Sequence, residues 1–249
     1  RKALVTGATG LVGSWLVREL LKRGASVAAL VAEWDPASQL LRSGDAGRTA
    51  RVTAPIEDAA AVLEAVRAHA PEAVFHLAAR TQVGAAVRDP LATLETNVGG
   101  TANVLEACRV HAGTVRRVLV ASSDKAYGPS AVLPYTEEMP VAGRAPYDVS
   151  KACADLIARM YHATYGLPVA VARSGNIYGG GDLNWDRLIP GTIRSLWRNE
   201  RPVVRSDGGD LVHARSRVEQ ALQSGGIGQP GLRGPTAGHA HDFDDTSFA

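Results

Sequence analysis

Four short segments of this 249-residue chain concentrate residues able to do chemistry. The first is Thr6-Gly7-Ala8-Thr9-Gly10-Leu11-Val12-Gly13, with glycines at the spacing G-x-x-G-x-x-G. The others are His76-Leu77-Ala78-Ala79, then Ser122-Ser123-Asp124-Lys125-Ala126-Tyr127-Gly128, then Tyr147-Asp148-Val149-Ser150-Lys151. The glycine loop follows an apolar strand and opens a helix, the context in which such spacing points to a dinucleotide. Gly7 allows the tight turn, Gly10 lets backbone approach a pyrophosphate, and Gly13 lets the helix pack closely. The helix N-terminus then offers free N–H groups and a partial positive charge to the phosphates. Tyr147 and Lys151 are four residues apart and share one face of a helix. A bound dinucleotide beside such groups implies hydride and proton transfer.

These segments need elements to hold them. Lys2–Thr6 reads as a strand and Leu11–Lys22 as a helix with an apolar stripe of Leu11, Val12, Trp15, Leu16, Leu20 and Leu21, ended by Gly24. Strands are expected at Val27–Val31, Arg51–Thr53, Ala73–Leu77, Arg117–Ala121 and Pro168–Ala172. Helices are expected at Asp58–His69 (Val62, Leu63 and Val66 inward), Leu91–Val110, Tyr147–Tyr165 and Leu188–Trp197. The alternation predicts an α/β fold, a doubly wound parallel sheet of Rossmann type, with ligands at the C-terminal ends of its strands. Residues 1–178 form the expected dinucleotide-binding unit and 179–207 a short, incomplete substrate-binding region. From 208 to 249 glycines cluster and the apolar period is lost. This stretch reads as a divergent, poorly ordered tail with one possible short helix at Arg215–Leu222. The strand expected at Pro202–Val204 precedes it.

Composition narrows the classes further. With 45% hydrophobic and 21% charged residues the chain is an ordinary globular protein. A net charge of +2 gives no reason to expect nucleic acid or an anionic membrane surface. No apolar run approaches the ~20 residues of a membrane span. The first residues already read as a core strand, so no signal peptide is expected. The absence of an initial Met suggests a start a few residues in. Cys108 and Cys153, the only cysteines, lie in helical patterns and read as reduced, buried residues of a cytoplasmic protein. The run His239-Ala240-His241-Asp242 carries metal-type ligands without a framework, so no metal is expected.

The second strand should end near an acid for the adenosine ribose, and Glu33 and Asp35 both fall there. No Arg lies in that stretch to hold a 2′-phosphate, which favours NAD over NADP.

Taken together, the glycine loop, His76–Ala79, Asn97 with Gly100-Thr101, and the Tyr147/Lys151 pair resemble the extended short-chain dehydrogenase/reductase family over residues 1–207. Gly13-Ser14-Trp15-Leu16, Ser123-Asp124-Lys125, Arg173–Asp182 and Asp186–Pro190 are most similar to its nucleotide-sugar 4,6-dehydratase branch, the enzymes acting on CDP-glucose above all. That resemblance implies C4 oxidation of the sugar, loss of water across C5–C6, and hydride return to C6. The alternatives are a nucleotide-sugar 4-epimerase or reductase using Ser123, Tyr147 and Lys151 alone, and a cofactor-binding remnant without turnover. It implies Tyr147 as base, Ser123 as partner of O4, Asp124 as acid, and Lys125 in the position of the base near C5. A Tyr of pKa ≈ 10 needs a shift of about three units, ~4 kcal/mol, to act near pH 7, and Lys151 supplies the right sign of field. The cofactor would meet Gly7, Thr9, Gly10, Leu11, Val12, Gly13, Glu33, Asp35, Ile56, Leu77, Ala78, Ala79, Asn97, Ser122, Tyr147 and Lys151. Asn97 is expected to prop the neighbouring loop, and His76 to be structural. Asn176, Arg187 and Arg205 are candidates for the sugar-nucleotide, with Arg173 holding the strand end. A homodimer through the Leu91–Val110 and Tyr147–Tyr165 helices follows from the same resemblance. Two departures stand out. Pro55 occupies the place of an adenine-contacting Asp, and the match to the family stops near Gly208.

Overall fold

The computed structural model describes residues 1–130 and 133–203. Arg205, the possible helix at 215–222 and the 208–249 tail lie outside the described residues.

Among the described residues six strands form one parallel sheet: β1 (Lys2–Thr6), β2 (Ser26–Val31), β3 (Ala50–Thr53), β4 (Ala73–His76), β5 (Arg117–Ser123) and β6 (Val169–Ser174). Their order is β3-β2-β1-β4-β5-β6, so the winding reverses between β1 and β4. Such a reversal opens a crevice at the C-terminal ends of the strands. The helices are α1 (Leu11–Lys22), α2 (Gln39–Arg42), α3 (Ala59–His69), α4 (Val83–Arg88), α5 (Pro90–Leu94), α6 (Gly100–Val110), α7 (Pro146–Tyr165) and α8 (Leu188–Trp197).

Strand alternation splits the core into two layers. Leu4, Ala28 and Leu30 face α3, α6 and α7, whereas Val5, Val27, Ala29 and Val31 face α1 and α2. Sheets covered on both faces need such unbroken apolar strands.

Several expectations shift in detail. The buried face of α1 is Gly13, Ser14, Val17 and Leu21, while Val12 and Trp15 point outward. On α3 the inward set is Val62, Ala65 and Val66, and Leu63 is exposed. The helix expected over Leu91–Val110 is three pieces: α5, a π-turn at Glu95–Gly99, and α6. β5 extends two residues further, so Ser122 and Ser123 belong to the strand. Residues 202–203 form no strand. Cys108 is buried but Cys153 only half-buried, and both are free.

Candidate functional site

The crevice at the β1/β4 reversal is a cleft of about 1020 Å³. Its floor is the glycine loop. Gly7 has φ +67°, and a Cβ there would sit 2.7 Å from the Ala78 nitrogen at the end of β4. A Cβ on Gly13 would lie 2.3 Å from the Gly7 carbonyl oxygen. Both glycines are thus required by the fold itself. Gly10 differs: a Cβ there would meet only the Gly7 oxygen, at 3.3 Å. Gly10 is the N-cap of α1, no side chain caps it, and Leu11, Val12 and Gly13 line the cleft. The first three N–H groups of a helix have no intrahelical partner. This donor set fits a pyrophosphate.

The remaining wall gathers most of the expected residues. Thr9, Glu33, Ile56, Leu77, Ala78, Ala79, Ser122, Asn176 and Arg187 all line the cleft with Ser123, Asp124, Lys125, Tyr147 and Lys151. Asp35 does not reach it and instead accepts from the Ala37 N–H at 2.8 Å, closing a turn. Asn97 lies behind the wall in the π-turn, where its amide accepts from Arg80 N–H (2.7 Å) and donates to Arg80 C=O (3.0 Å) and Ser150 Oγ (2.9 Å). Arg173 is also away from the cleft. It makes a two-pronged pair with the fully buried Asp155 (2.6 and 2.9 Å) and donates to Tyr127 Oη at 2.9 Å. The cleft residues that escaped the sequence reading include the Arg80–Ala85 stretch after β4, Glu57, Asn184 and Asn176's neighbour Ile177. Glu57 stands beside Ile56 and takes a hydrogen bond from Thr96. Only its position one residue past Ile56 marks it.

The chemical groups meet between β5 and α7. Tyr147, in the first turn of α7 after Pro146, hydrogen-bonds Ser123. Ser123 Oγ also donates to Asp124 Oδ1 (3.1 Å) and accepts the Lys125 N–H (3.2 Å). The Ser123 hydroxyl is thus shared among Asp124, the Lys125 N–H and Tyr147. Burial raises the Tyr147 pKa, and Asp124 and Asp148 add to that, while Ser123 and Arg187 pull it back. Lys151, 6% exposed, donates to the Ala121 carbonyl at 2.8 Å, and burial lowers its pKa to about 8. Burial also raises the Asp148 carboxyl, which Lys125 counteracts.

A buried polar seam runs behind these groups. Thr6 Oγ1 accepts the N–H of Leu77 (3.1 Å) and Ala78 (3.2 Å), so its own proton goes to His76 Nδ1 at 2.8 Å. His76 then carries its proton on Nε2 and donates to Thr101 Oγ1 (3.0 Å), which donates to the Asn97 carbonyl (2.6 Å). Ser150, bonded to Asn97, donates to the Tyr147 carbonyl at 2.7 Å. Burial, then the Lys151 charge, lowers the His76 pKa to about 3, so the ring is neutral.

This geometry has known counterparts. The model of the NAD dependent epimerase/dehydratase family matches residues 3–218. The chain belongs to that family. Within it, the chain is 34% identical over 219 residues to the CDP-glucose 4,6-dehydratase of Salmonella typhimurium, covering 83% of this chain and 60% of that one. The structure of a dTDP-glucose 4,6-dehydratase double mutant from Streptomyces venezuelae, solved with NAD bound, superposes with TM-score 0.74 at 31% identity. It covers 84% of this chain and 66% of that one. The UDP-glucose 4-epimerase of Thermotoga maritima, solved with UDP-glucose, gives TM-score 0.75 at 26% identity, over 84% of this chain and 67% of its own. The chain thus spans about 60% of the length of such curated relatives. Among the described residues no helix is long and apolar enough to cross a membrane.

Proposed function

We propose that this chain carries the dinucleotide-binding and catalytic part of an NAD-dependent nucleotide-sugar 4,6-dehydratase, a lyase. The observation that carries this reading is the Ser123–Tyr147 contact with Asp124 and Lys125 immediately after it, in the cleft floored by Gly10. Residues 1–178 hold the cofactor and 179–207 begin the sugar-nucleotide side.

Gly10 and the N–H groups of Leu11–Gly13 hold the pyrophosphate of NAD, and Glu33 accepts from the adenosine ribose. Ile56 and Leu77–Ala79 flank the channel, and Ser122, Tyr147 and Lys151 face its nicotinamide end. When bound, NAD supplies the hydride acceptor and a positive ring that offsets the burial of Tyr147. Tyr147 takes the O4 proton while Ser123 holds O4 in line. The resulting C4 ketone makes the C5 proton acidic. Lys125 takes part in its transfer, and Asp124 protonates the departing C6 hydroxyl. Asn176 and Arg187 reach the diphosphate of the substrate, Arg187 through its forked guanidinium.

The test is incubation with NAD and CDP-glucose, dTDP-glucose or UDP-glucose. A 4-keto-6-deoxy product absorbing in alkali is expected, and Tyr147→Phe should abolish it while leaving cofactor bound. Inversion at C4 without loss of water would instead support an epimerase, to which the chain's fold is equally close. NAD binding with no conversion would reduce the role to cofactor binding.

Two further assignments go with this reading. Exposed apolar residues on α5 and α7 support a homodimer. The two free cysteines suit the reducing cytoplasm.

A further inference from the structure

Two stretches that lie 165 residues apart meet outside the sheet. Trp15, on the outer side of α1 and 42% exposed, donates its indole N–H to the Gly180 carbonyl at 2.8 Å. The next residue, Gly181, has φ +87° and packs so closely on α2 that a Cβ would come within 3.1 Å of the Gln39 Cβ. The loop after β6 is therefore pinned near its middle to the helix whose N-terminus floors the cleft.

The ends of the same loop line the cleft. Asn176 and Ile177 do so on the β6 side, and Asn184, Asp186 and Arg187 on the α8 side. Since among the described residues β6 ends the sheet on one side and α2 leads towards β3 on the other, the loop crosses the β1/β4 reversal. It is stiffened from within: the Asp182 carboxylate, its side chain 4% exposed, accepts from Asn184 N–H (3.1 Å) and pairs with Arg187 (3.0 Å). The loop is a strap, and one side chain on α1 fastens it.

We propose that Trp15 is a positioning residue that latches the 175–187 strap across the cleft and slows release of the dinucleotide. This rests on the dinucleotide reading above. The chemistry gives the latch a purpose. A hydride taken from C4 and returned to C6 is lost if the cofactor leaves between the two steps. A fold that keeps its dinucleotide through turnover is served by a closure independent of the sugar, and Trp15 holds the strap from α1 without being among the residues that line the cleft.

The test uses NADH as probe and stopped-flow fluorescence of its release into excess NAD. Trp15→Phe keeps an aromatic ring and removes the N–H. Loss of one such hydrogen bond predicts release about threefold to tenfold faster. Because Trp15 is a surface residue, the melting temperature should move by no more than a few degrees. An unchanged release rate in Trp15→Phe would overturn the latch and leave the dinucleotide reading standing. A parent chain that binds no NADH would overturn both. Faster release matched by a fall in melting temperature of ten degrees or so would also overturn it, since loosening of the whole α1 region would then account for the rate.

Discussion

At the scale of single residues, the three glycines of the loop have separate jobs. Gly7 and Gly13 are fixed by backbone neighbours at 2.7 and 2.3 Å from where a Cβ would stand, whereas Gly10 faces the cleft with only one such neighbour at 3.3 Å. Gly10 has φ −67°, which any residue adopts. Gly13→Ala therefore overpacks the turn and should cost at least ~1–3 kcal/mol of stability. Gly10→Ala should fold with nearly the parental melting temperature yet bind NADH at least about tenfold more weakly, because its methyl occupies the approach of the pyrophosphate. Calorimetry and fluorescence titration of the two variants separate these effects. Equal loss of stability in both would contradict the division. The spacing of the glycines and this division of roles were legible in the sequence; the atoms that enforce it, belonging to Ala78 and Gly7, show only in three dimensions. Ser123, Tyr147 and Lys151 were legible from their order along alternating strands and helices. Asp35 and Glu57 were not, since whether an acid near a strand end turns into the cleft or closes its own turn depends on one or two backbone angles.

At the scale of elements, the seam from Thr6 through His76, Thr101 and Asn97 to Ser150 joins β1, β4, the π-turn, α6 and α7. It holds the turn at Ala78 and the first turns of α7 in one register, and so fixes Tyr147 relative to the glycine loop. The chain of donors has a direction that works only with His76 neutral. Its pKa is about 3 in the folded chain against an ordinary 6.5. Above pH 6.5 neither state binds the proton, and the seam contributes fully. Between pH 6.5 and about 3 the unfolded chain binds a proton that the folded chain refuses, so stability falls as pH falls. The contribution lost by pH 5 is ~2 kcal/mol. Urea unfolding at pH 7.5 and pH 5 reads the loss, and an NMR titration of the His76 ring assigns it. A His76 resonance titrating near pH 6.5 in the folded protein would refute the neutral seam. The sequence reading reached two members of this seam, Asn97 as a prop for the neighbouring loop and His76 as structural, but not the bonds that join them. The sequence period ran unbroken from Leu91 to Val110, and the π-turn that aims Asn97 at Arg80 and Ser150 shows only once those partners are placed. The bounds of α1 were legible because Gly10 and Gly24 punctuate a strong pattern. The outward Trp15 was not, because its partner Gly180 comes much later in the chain.

At the scale of the whole molecule, one surface carries more apolar side chain than an isolated domain has use for. Val87 on α4, Leu91 on α5, and Leu156 and Met160 on α7 are 61, 66, 52 and 43% exposed. Helices α4 and α5 both pack against α7, so these residues belong to one side of the sheet. Singly exposed apolar residues are common, but contiguous ones on neighbouring helices mark association surfaces. The homodimer proposed above would bury them as a bundle of α5 and α7 from each copy. The cleft opens at the strand ends, so pairing through these helices leaves it accessible. Leu156→Asp would place a carboxylate at the centre of the buried patch, where an unpaired charge costs several kcal/mol. Since Leu156 is already half exposed in the single chain, the substitution should leave its fold intact. Sedimentation velocity is expected to show a dimer for the parent and a monomer for Leu156→Asp, with unchanged helical content by circular dichroism. NADH binding should survive in the monomer, because the glycine loop, Glu33, Ser123, Tyr147 and Lys151 line one cleft within a single chain. A parent that sediments as a monomer would refute the homodimer, and a Leu156→Asp variant that stays dimeric would place the interface elsewhere.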